Sequence, residues 1–142
     1  MSEIEIASVR PERTEAFRRA HERDALSEHW AFRVVWHEQR HELAALDGDA
    51  VVAVLTLRIA ASLAHLESLI VDPARRRRGV GRALLARAEE LANYYNCHKI
   101  VVEVLAGGGA QRFFEACGYR VEAVLAQQTW KLDVALMRKF VQ

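Results

Sequence analysis

The chain has 142 residues, with 20 Lys and Arg against 19 Asp and Glu, and a formal net charge of +1. This length fits one domain, residues 1–142, and the balanced charge argues against a dedicated nucleic-acid binder, which carries a basic excess over one face. With 51% hydrophobic residues and no apolar run approaching about 18 residues, the sequence predicts a buried core and no membrane association. The start lacks an apolar signal core, and Cys97 and Cys117 are too few for a disulfide framework, so we expect a cytoplasmic protein.

The N-terminal quarter of the chain predicts one strand and two helices. Isoleucines alternate with polar residues over Glu3–Val9, which is typical of a short strand. Pro11 is suited to the first turn of a helix that we expect to run to about His21. A second helix is predicted over about Asp24–Val35.

A hairpin is predicted in the middle of the chain, around Asp47-Gly48-Asp49. These turn residues tolerate positive φ and stand between two apolar runs. They place strands at about His41–Leu46 and Ala50–Ile59. A further strand is expected at about His65–Val71, and Asp72-Pro73 ends it.

The second half of the chain alternates helices and strands. Apolar residues recur every three or four positions in Val80–Tyr95, which predicts a helix with one buried face. The predicted elements that follow are a strand at Ile100–Leu105, a helix at Ala110–Cys117 and strands at Tyr119–Val124 and Thr129–Phe140. The fold class is therefore α/β, with a mixed α+β sheet and the order βααβββαβαββ. The strand–helix–strand unit within it predicts a parallel pair with a right-handed crossover.

The sequence RRRRGVGR lies at the strand-to-helix junction of this unit. A helix N-terminus has unpaired backbone N–H groups and the positive end of the helix dipole, so it attracts anions. Gly79 and Gly81 allow close approach to the backbone, and the arginines can pair with phosphate. The segment lacks the Gly-Lys-Ser/Thr of a P-loop, and Leu84 breaks the dinucleotide pattern GxGxxG.

Two motifs together resemble a known family. Arg76-Arg77-Arg78-Gly79-Val80-Gly81 matches Arg/Gln-x-x-Gly-x-Gly/Ala, and AQRFFEACGYR, residues 110–120, is similar to A-x-x-F-Y-E-x-x-G-F. Both are similar to the GNAT superfamily of N-acyltransferases, and the resemblance covers essentially the whole chain. It implies a GNAT fold, acetyl-CoA as cosubstrate without a metal, and acetyl transfer to a primary amine of a small molecule or peptide.

The resemblance also implies which residues bind the cosubstrate. Leu69, Ile70 and Val71 match the strand that pairs with the pantetheine arm, near a bulge that separates two parallel strands. A backbone N–H of Val71 or Ile70 is the expected oxyanion donor. The pyrophosphate loop and the second motif add Arg76, Arg77, Arg78, Gly79, Val80, Gly81, Arg82 and Phe113.

Three side chains are candidates for the base that takes the proton of the amine. Glu67 lies four residues before Val71, where many relatives carry a glutamate. His65 shares its face by strand alternation. Glu103 lies within the apolar strand KIVVEVL, as in acyltransferases that act on protein N-termini. General acid–base assistance of this kind contributes about 10²–10⁴-fold to a rate.

Two positions depart from the family pattern. Phe114 stands where the family has its general-acid tyrosine, and Gly107 stands where it often has asparagine. A thiol with a pKa near 8.5 leaves as the thiolate without an acid, so these changes do not exclude turnover. Tyr119, Cys117 or water are possible substitutes. A non-catalytic acyl-CoA-binding regulatory module is the alternative function.

Two further features have other interpretations. His37-Glu38-Gln39-Arg40-His41 reads H-E-x-x-H, which on a helix binds zinc and would indicate a zinc hydrolase. The predicted hairpin instead puts a strand start at His41, so we interpret the match as chance. The final strand, TWKLDVALMRKF, could pair across a homodimer if it were exposed.

Overall fold

The structure, a computed structural model, describes residues 3–33 and 37–142. The chain divides into two compact units, Met1–Trp36 and His37–Gln142. The first unit has one turn of 3-10 helix, Pro11–Thr14, followed by helix α1, Glu15–Trp30. Ala31 caps α1 with a left-handed φ of 61°. None of the helices in the described ranges is long and apolar enough to cross a membrane.

The predicted N-terminal strand and helix pair are wrong. Residues 3–10 form no strand, and Ile4 and Ile6 are 87% and 90% exposed. Alternation makes a strand only where another strand pairs with its backbone, and residues 3–33 supply none. The two predicted helices are one helix, because no Gly or Pro near Glu22–Asp24 ends it. The predicted end of the second helix at Val35 lies outside the described residues.

The second unit is a six-stranded sheet with two helices. Its strands are β1 (Gln39–Asp47), β2 (Ala50–Ala60), β3 (Leu63–Val71), β4 (Lys99–Leu105), β5 (Arg120–Thr129) and β6 (Leu132–Phe140). The order across the sheet is β1-β2-β3-β4-β6-β5, and only the β3–β4 pair is parallel. Helix α2 (Val80–Tyr94) connects β3 to β4, and helix α3 (Gly109–Ala116) follows β4. The predicted mixed sheet and the predicted hairpin at Gly48 are confirmed.

One face of the sheet packs against α2 and α3 and forms the core of this unit. Leu57, Leu85, Ile100 and Met137 are at most 1% exposed there, and Phe114 of α3 joins the same cluster. We call this the helix face. The opposite face, which receives the intervening side chains of the strands and no helix of the second unit, is called the helix-free face.

The parallel pair opens partway along its length. β3 and β4 pair only at Leu63–Lys99, Ala64–Ile100 and His65–Val101. On its other side β3 carries a bulge, since Leu66 and Ser68 oppose consecutive residues of β2 and Glu67 is the extra residue. Both strands continue for several residues past His65 and Val101 without pairing with each other, although each still pairs with its other neighbour. The result is a V-shaped opening inside the sheet.

The last strand is not at an edge of the sheet. β6 lies between β4 and β5, and the edges are β1 and β5. The predicted strand Thr129–Phe140 also begins later, because Thr129 ends β5 and Trp130-Lys131 form the turn before β6. The proposed homodimer contact through the last strand is therefore wrong, because its backbone groups are already paired on both sides.

Candidate functional site

The arginine loop joins the end of β3 to the start of α2. Asp72 accepts a hydrogen bond from the Ala74 backbone N–H at 3.0 Å, which starts a 3-10 turn over Pro73–Arg75. Arg75 does not face the loop, because its Nη1 lies 2.6 Å from Oδ2 of Asp47 at the β1–β2 turn. The first arginine of the run therefore anchors the loop to the sheet.

The other arginines of the run are available to a ligand. Arg76, Arg77 and Arg78 are exposed, and no hydrogen bond or ion pair engages their guanidinium groups within residues 37–142. Gly79, with a φ of 77°, takes the left-handed conformation that starts α2, and no side chain caps this helix. Unpaired helix N–H groups beside three guanidinium groups can hold a phosphate or pyrophosphate.

Gly81 faces inward rather than toward the loop opening. A Cβ at this position would lie 3.4 Å from Cγ2 of Val71 and 3.6 Å from Cζ of Phe113. The glycine thus brings α2 close to the end of β3 and to α3. Gly81 therefore contributes to the site through this packing, which the motif alone did not reveal. Its lack of a side chain also leaves the backbone accessible.

We expect Gly81→Ala not to destabilise the protein, because its Cβ fits at contact distance from Val71 and alanine has a helix propensity about 0.8–1.0 kcal/mol more favourable than that of glycine. Gly81→Val should lose about 1–3 kcal/mol, because its methyl groups overlap Val71 and Phe113. Urea unfolding measures both changes. Ala83→Val, exposed on the same helix, controls for the β-branched side chain. Equal stability of the two valine variants would contradict the inward packing.

The directions of the backbone N–H groups in β3 distinguish the two candidate oxyanion donors, Ile70 and Val71. The Asp72 N–H donates to Val52 O at 2.9 Å, so it points toward β2. N–H directions alternate along an antiparallel pair, and Ile70 pairs with Val54 in the same register. The N–H of Ile70 therefore points toward β2 as well, whereas those of Leu69 and Val71 point into the opening. Of the two predicted donors, Val71 has the required direction.

The three candidate bases lie on β3 and β4, at or next to the point where these strands separate. His65 belongs to the last pair before β3 and β4 separate, and Glu67 and Glu103 are each two residues beyond that pair. All three face the helix-free side. The pKa of His65 is lowered by burial and by Arg58, while Glu67 and Glu103 oppose this shift, which places both carboxylates near the ring. The imidazole is therefore neutral at pH 7 and able to accept a proton.

The two carboxylates have different surroundings. Oε1 of Glu67 is 2.8 Å from Nη1 of Arg40, so one oxygen is already held by a guanidinium. Glu103 has no hydrogen bond or ion pair with any residue that the structure describes, and it is exposed. Its immediate neighbours Val102 and Val104 lie on the helix face, so they do not bury it. The contact with Arg40 could not be predicted, because it depends on the order of the strands in the sheet, where β2 lies between β1 and β3.

The second motif contributes to packing around the loop. Phe113 contacts the position of Gly81, as noted, and Phe114 is 4% exposed in the core. The Tyr119 hydroxyl donates to Glu89 at 3.1 Å, and burial raises the pKa of this tyrosine. Tyr119 follows α3 beside Lys139, whose strand neighbour Ile100 lies at the closed end of the β3–β4 pair. Because Glu89 already accepts the hydrogen bond of its hydroxyl and its pKa is raised, Tyr119 is a poor substitute for the missing acid.

The H-E-x-x-H segment has no helical geometry. His37 and Glu38 are in coil, and Gln39 begins β1. His41 contacts the ring of Tyr95 and Oε1 of Gln39. Over residues 3–33 and 37–142, no three His, Cys, Asp or Glu side chains are grouped so that they could hold a metal ion. The requirement for two histidines on one helix face is not met.

A profile of the acetyltransferase (GNAT) family matches residues 6–119. The chain belongs to the GNAT family. Solved structures agree on the fold. An acetyltransferase from Bacillus cereus ATCC 14579 superposes with a TM-score of 0.76 at 16% identity, covering 96% of this chain and 97% of that one.

Two other GNAT structures are similar. The ribosomal-protein-S18-alanine N-acetyltransferase from Escherichia coli has a TM-score of 0.67 at 17% identity, over 96% of this chain and 92% of its own. An aminoglycoside 6'-N-acetyltransferase complexed with coenzyme A has a TM-score of 0.66 at 20% identity, over 72% and 73%. Among curated proteins, no sequence match is found. The expected family and GNAT fold are confirmed.

Proposed function

We propose that this GNAT protein transfers an acetyl group from acetyl-CoA to a primary amine by direct attack. The observation that carries the proposal is the V-shaped opening between β3 and β4, which leads to the unpaired arginines at the start of α2. The pantetheine arm of CoA would lie along the N–H groups of Leu69 and Val71. Its pyrophosphate would lie at Arg76–Gly81 with Arg82, and Phe113 would support the loop from beneath. Coenzyme A in a related structure supports this use of the fold.

The residues of this chain have separable tasks in the proposed reaction. The Val71 N–H polarises the thioester carbonyl and stabilises its oxygen. Glu103, with His65 and Glu67 nearby, receives the proton that the amine loses. The amine nitrogen bonds to the carbonyl carbon, the C–S bond breaks, and CoA leaves as the thiolate, which then takes a proton from water. An ordinary thiol pKa of about 8.5 permits this departure without a tyrosine.

A second function is favoured by one specific observation. Phe114 replaces the tyrosine of the family motif, and its ring is buried against Phe113 and Tyr119. A protein that binds acyl-CoA without turnover would tolerate this change. It would keep the arginine loop and the opening and lose only the chemistry.

The experiment that separates the two functions combines binding with turnover. Coenzyme A at 100 times its dissociation constant should stabilise the protein by about 2.7 kcal/mol in a thermal unfolding experiment. Acetyl-CoA with a panel of amines should release free thiol and form an N-acetylated product detected by mass. Stabilisation without product would establish the binding module, and no stabilisation would exclude both functions.

The one family profile spans parts of both compact units. This supports our proposal that residues 1–142 act as one N-acetyltransferase domain. The free thiols of Cys97 and Cys117 support a cytoplasmic location.

A further inference from the structure

A second feature borders the opening on its β4 side. A cleft of about 300 Å³ lies between the end of β4 and the β5–β6 hairpin. Its lining includes Glu103, Leu105, Trp130, Leu132 and Val134. Leu105 and Val134 oppose each other in the sheet, so they share the helix-free face with Glu103, two residues along β4. The cleft therefore meets the candidate base at one end.

Trp130 occupies an unfavourable position for a tryptophan. It is 90% exposed, and it lies with Lys131 at the tip of the hairpin, where Thr129 pairs with Leu132. Trp130 and Lys131 have φ values of 53° and 60°. Two-residue hairpin turns with both φ values positive favour Asn and Gly, and bulky residues are strained there. Neither burial nor turn geometry explains an indole at this tip.

The chemistry of the cleft is apolar with one charge. Glu103 is the one ionisable side chain among its lining residues, and no described residue pairs with it. A single carboxylate complements a single ammonium group. A polyamine or a polar sugar amine would find only the Thr129 hydroxyl as a further polar side chain in the lining, and most of its other charged or hydroxyl groups would lie against leucine, valine and indole.

We propose that this cleft binds the acceptor, and that the acceptor is a monoamine with an apolar or aromatic group close to its nitrogen. Glu103 receives the ammonium, and Trp130 and Leu132 cover the apolar group. Trp130 is thus a specificity-determining residue. This inference rests on the proposed function for its biological meaning, but amine binding can be measured without turnover.

The test uses 2-phenylethylamine as the probe and spermidine as the polycationic comparison, with CoA present. Binding is followed by calorimetry. The unmodified protein should bind 2-phenylethylamine at least about tenfold more tightly than spermidine. Trp130→Asn should weaken this binding about tenfold or more, and Trp130→Phe should retain most of it. Tyr94→Ala, which removes an exposed aromatic ring at the far end of α2, is the matched control and should change nothing.

Stability separates this role from a structural one. Asparagine tolerates a left-handed φ, so Trp130→Asn should unfold at a temperature no lower than the parent while it loses the probe. Unchanged binding in Trp130→Asn, no binding of the probe, or a preference for spermidine would each overturn the proposal. If the probe binds but no amine is acetylated, the cleft assignment stands and the acetyltransferase function fails.

Discussion

Replacing Arg76 and Arg78 together by glutamate should abolish measurable CoA binding. Both side chains are exposed and unpaired in the described part of the chain, at the start of an uncapped helix. Charge-assisted hydrogen bonds contribute about 1.5–3 kcal/mol each, so the loss of two corresponds to about 10²–10⁴-fold in affinity. The introduced carboxylates also repel the pyrophosphate. Calorimetric titration with CoA measures the change, and the affinity of the parent should fall as salt is added.

The control for this pair is an exposed arginine within α2, the helix that follows the loop. Arg87 pairs with Glu90 at 3.2 Å and lies two turns from the loop, so Arg87→Glu should leave CoA affinity within about twofold. Arg75 should be left intact, because its pairing with Asp47 holds the loop to the sheet. Without CoA, the double variant should unfold like the parent. Normal CoA affinity in that variant would place the pyrophosphate elsewhere.

Replacing Glu103 by glutamine should lower kcat by about 10²–10³-fold and leave CoA affinity unchanged, because the amide keeps the shape of the side chain but cannot take a proton. Steady-state rates of thiol release with 2-phenylethylamine measure the effect. Glu67→Gln is the isosteric comparison. Because Arg40 already holds an oxygen of Glu67, we expect this variant to lose less than about tenfold.

The lowered pKa of His65 makes the stability of the protein depend on pH. Its pKa is lowered in the folded state, so the ring is neutral at pH 7 and becomes protonated only at a pH below its ordinary value near 6.5. Unfolded protein takes up this proton first, so the contribution of His65 to stability is complete above that value and is lost as pH falls through the lowered pKa. His65→Gln should remove this part of the pH dependence. A loss of kcat in His65→Gln as large as that in Glu103→Gln would make the histidine the base.

Local patterns in the sequence predicted most of the second unit correctly. Periodicity, the Asp47-Gly48 turn and Pro73 mark β1, β2, β3 and α2 to within a few residues, because each of these signals acts between near neighbours. The first strand failed for a different reason. Ile4 and Ile6 alternate as a strand requires, but pairing depends on another segment, and no periodicity contains that information.

The site was predictable as a set of motifs but not as a geometry. The Arg76–Gly81 pattern predicts an anion-binding loop from the sequence, because a helix start and a glycine are local features. The bulge at Glu67, the ion pair with Arg40 and the inward packing of Gly81 depend on the register of strands and on contacts with α3. The cleft at Trp130 likewise depends on the pairing of β4 with β6, which brings together segments that are distant along the chain.

In the proposed reaction, the opening between β3 and β4 would make the cosubstrate part of the sheet. Leu69 and Val71 present N–H groups as an edge strand does, but this edge lies inside the molecule, where another chain cannot easily reach it. A pantetheine arm bound there would act as a short added strand and fill the opening. Free CoA has the same pantetheine arm as acetyl-CoA, so it would fill the opening in the same way. If the proposed function holds, released CoA would compete with acetyl-CoA for the same site, and turnover should slow as CoA accumulates.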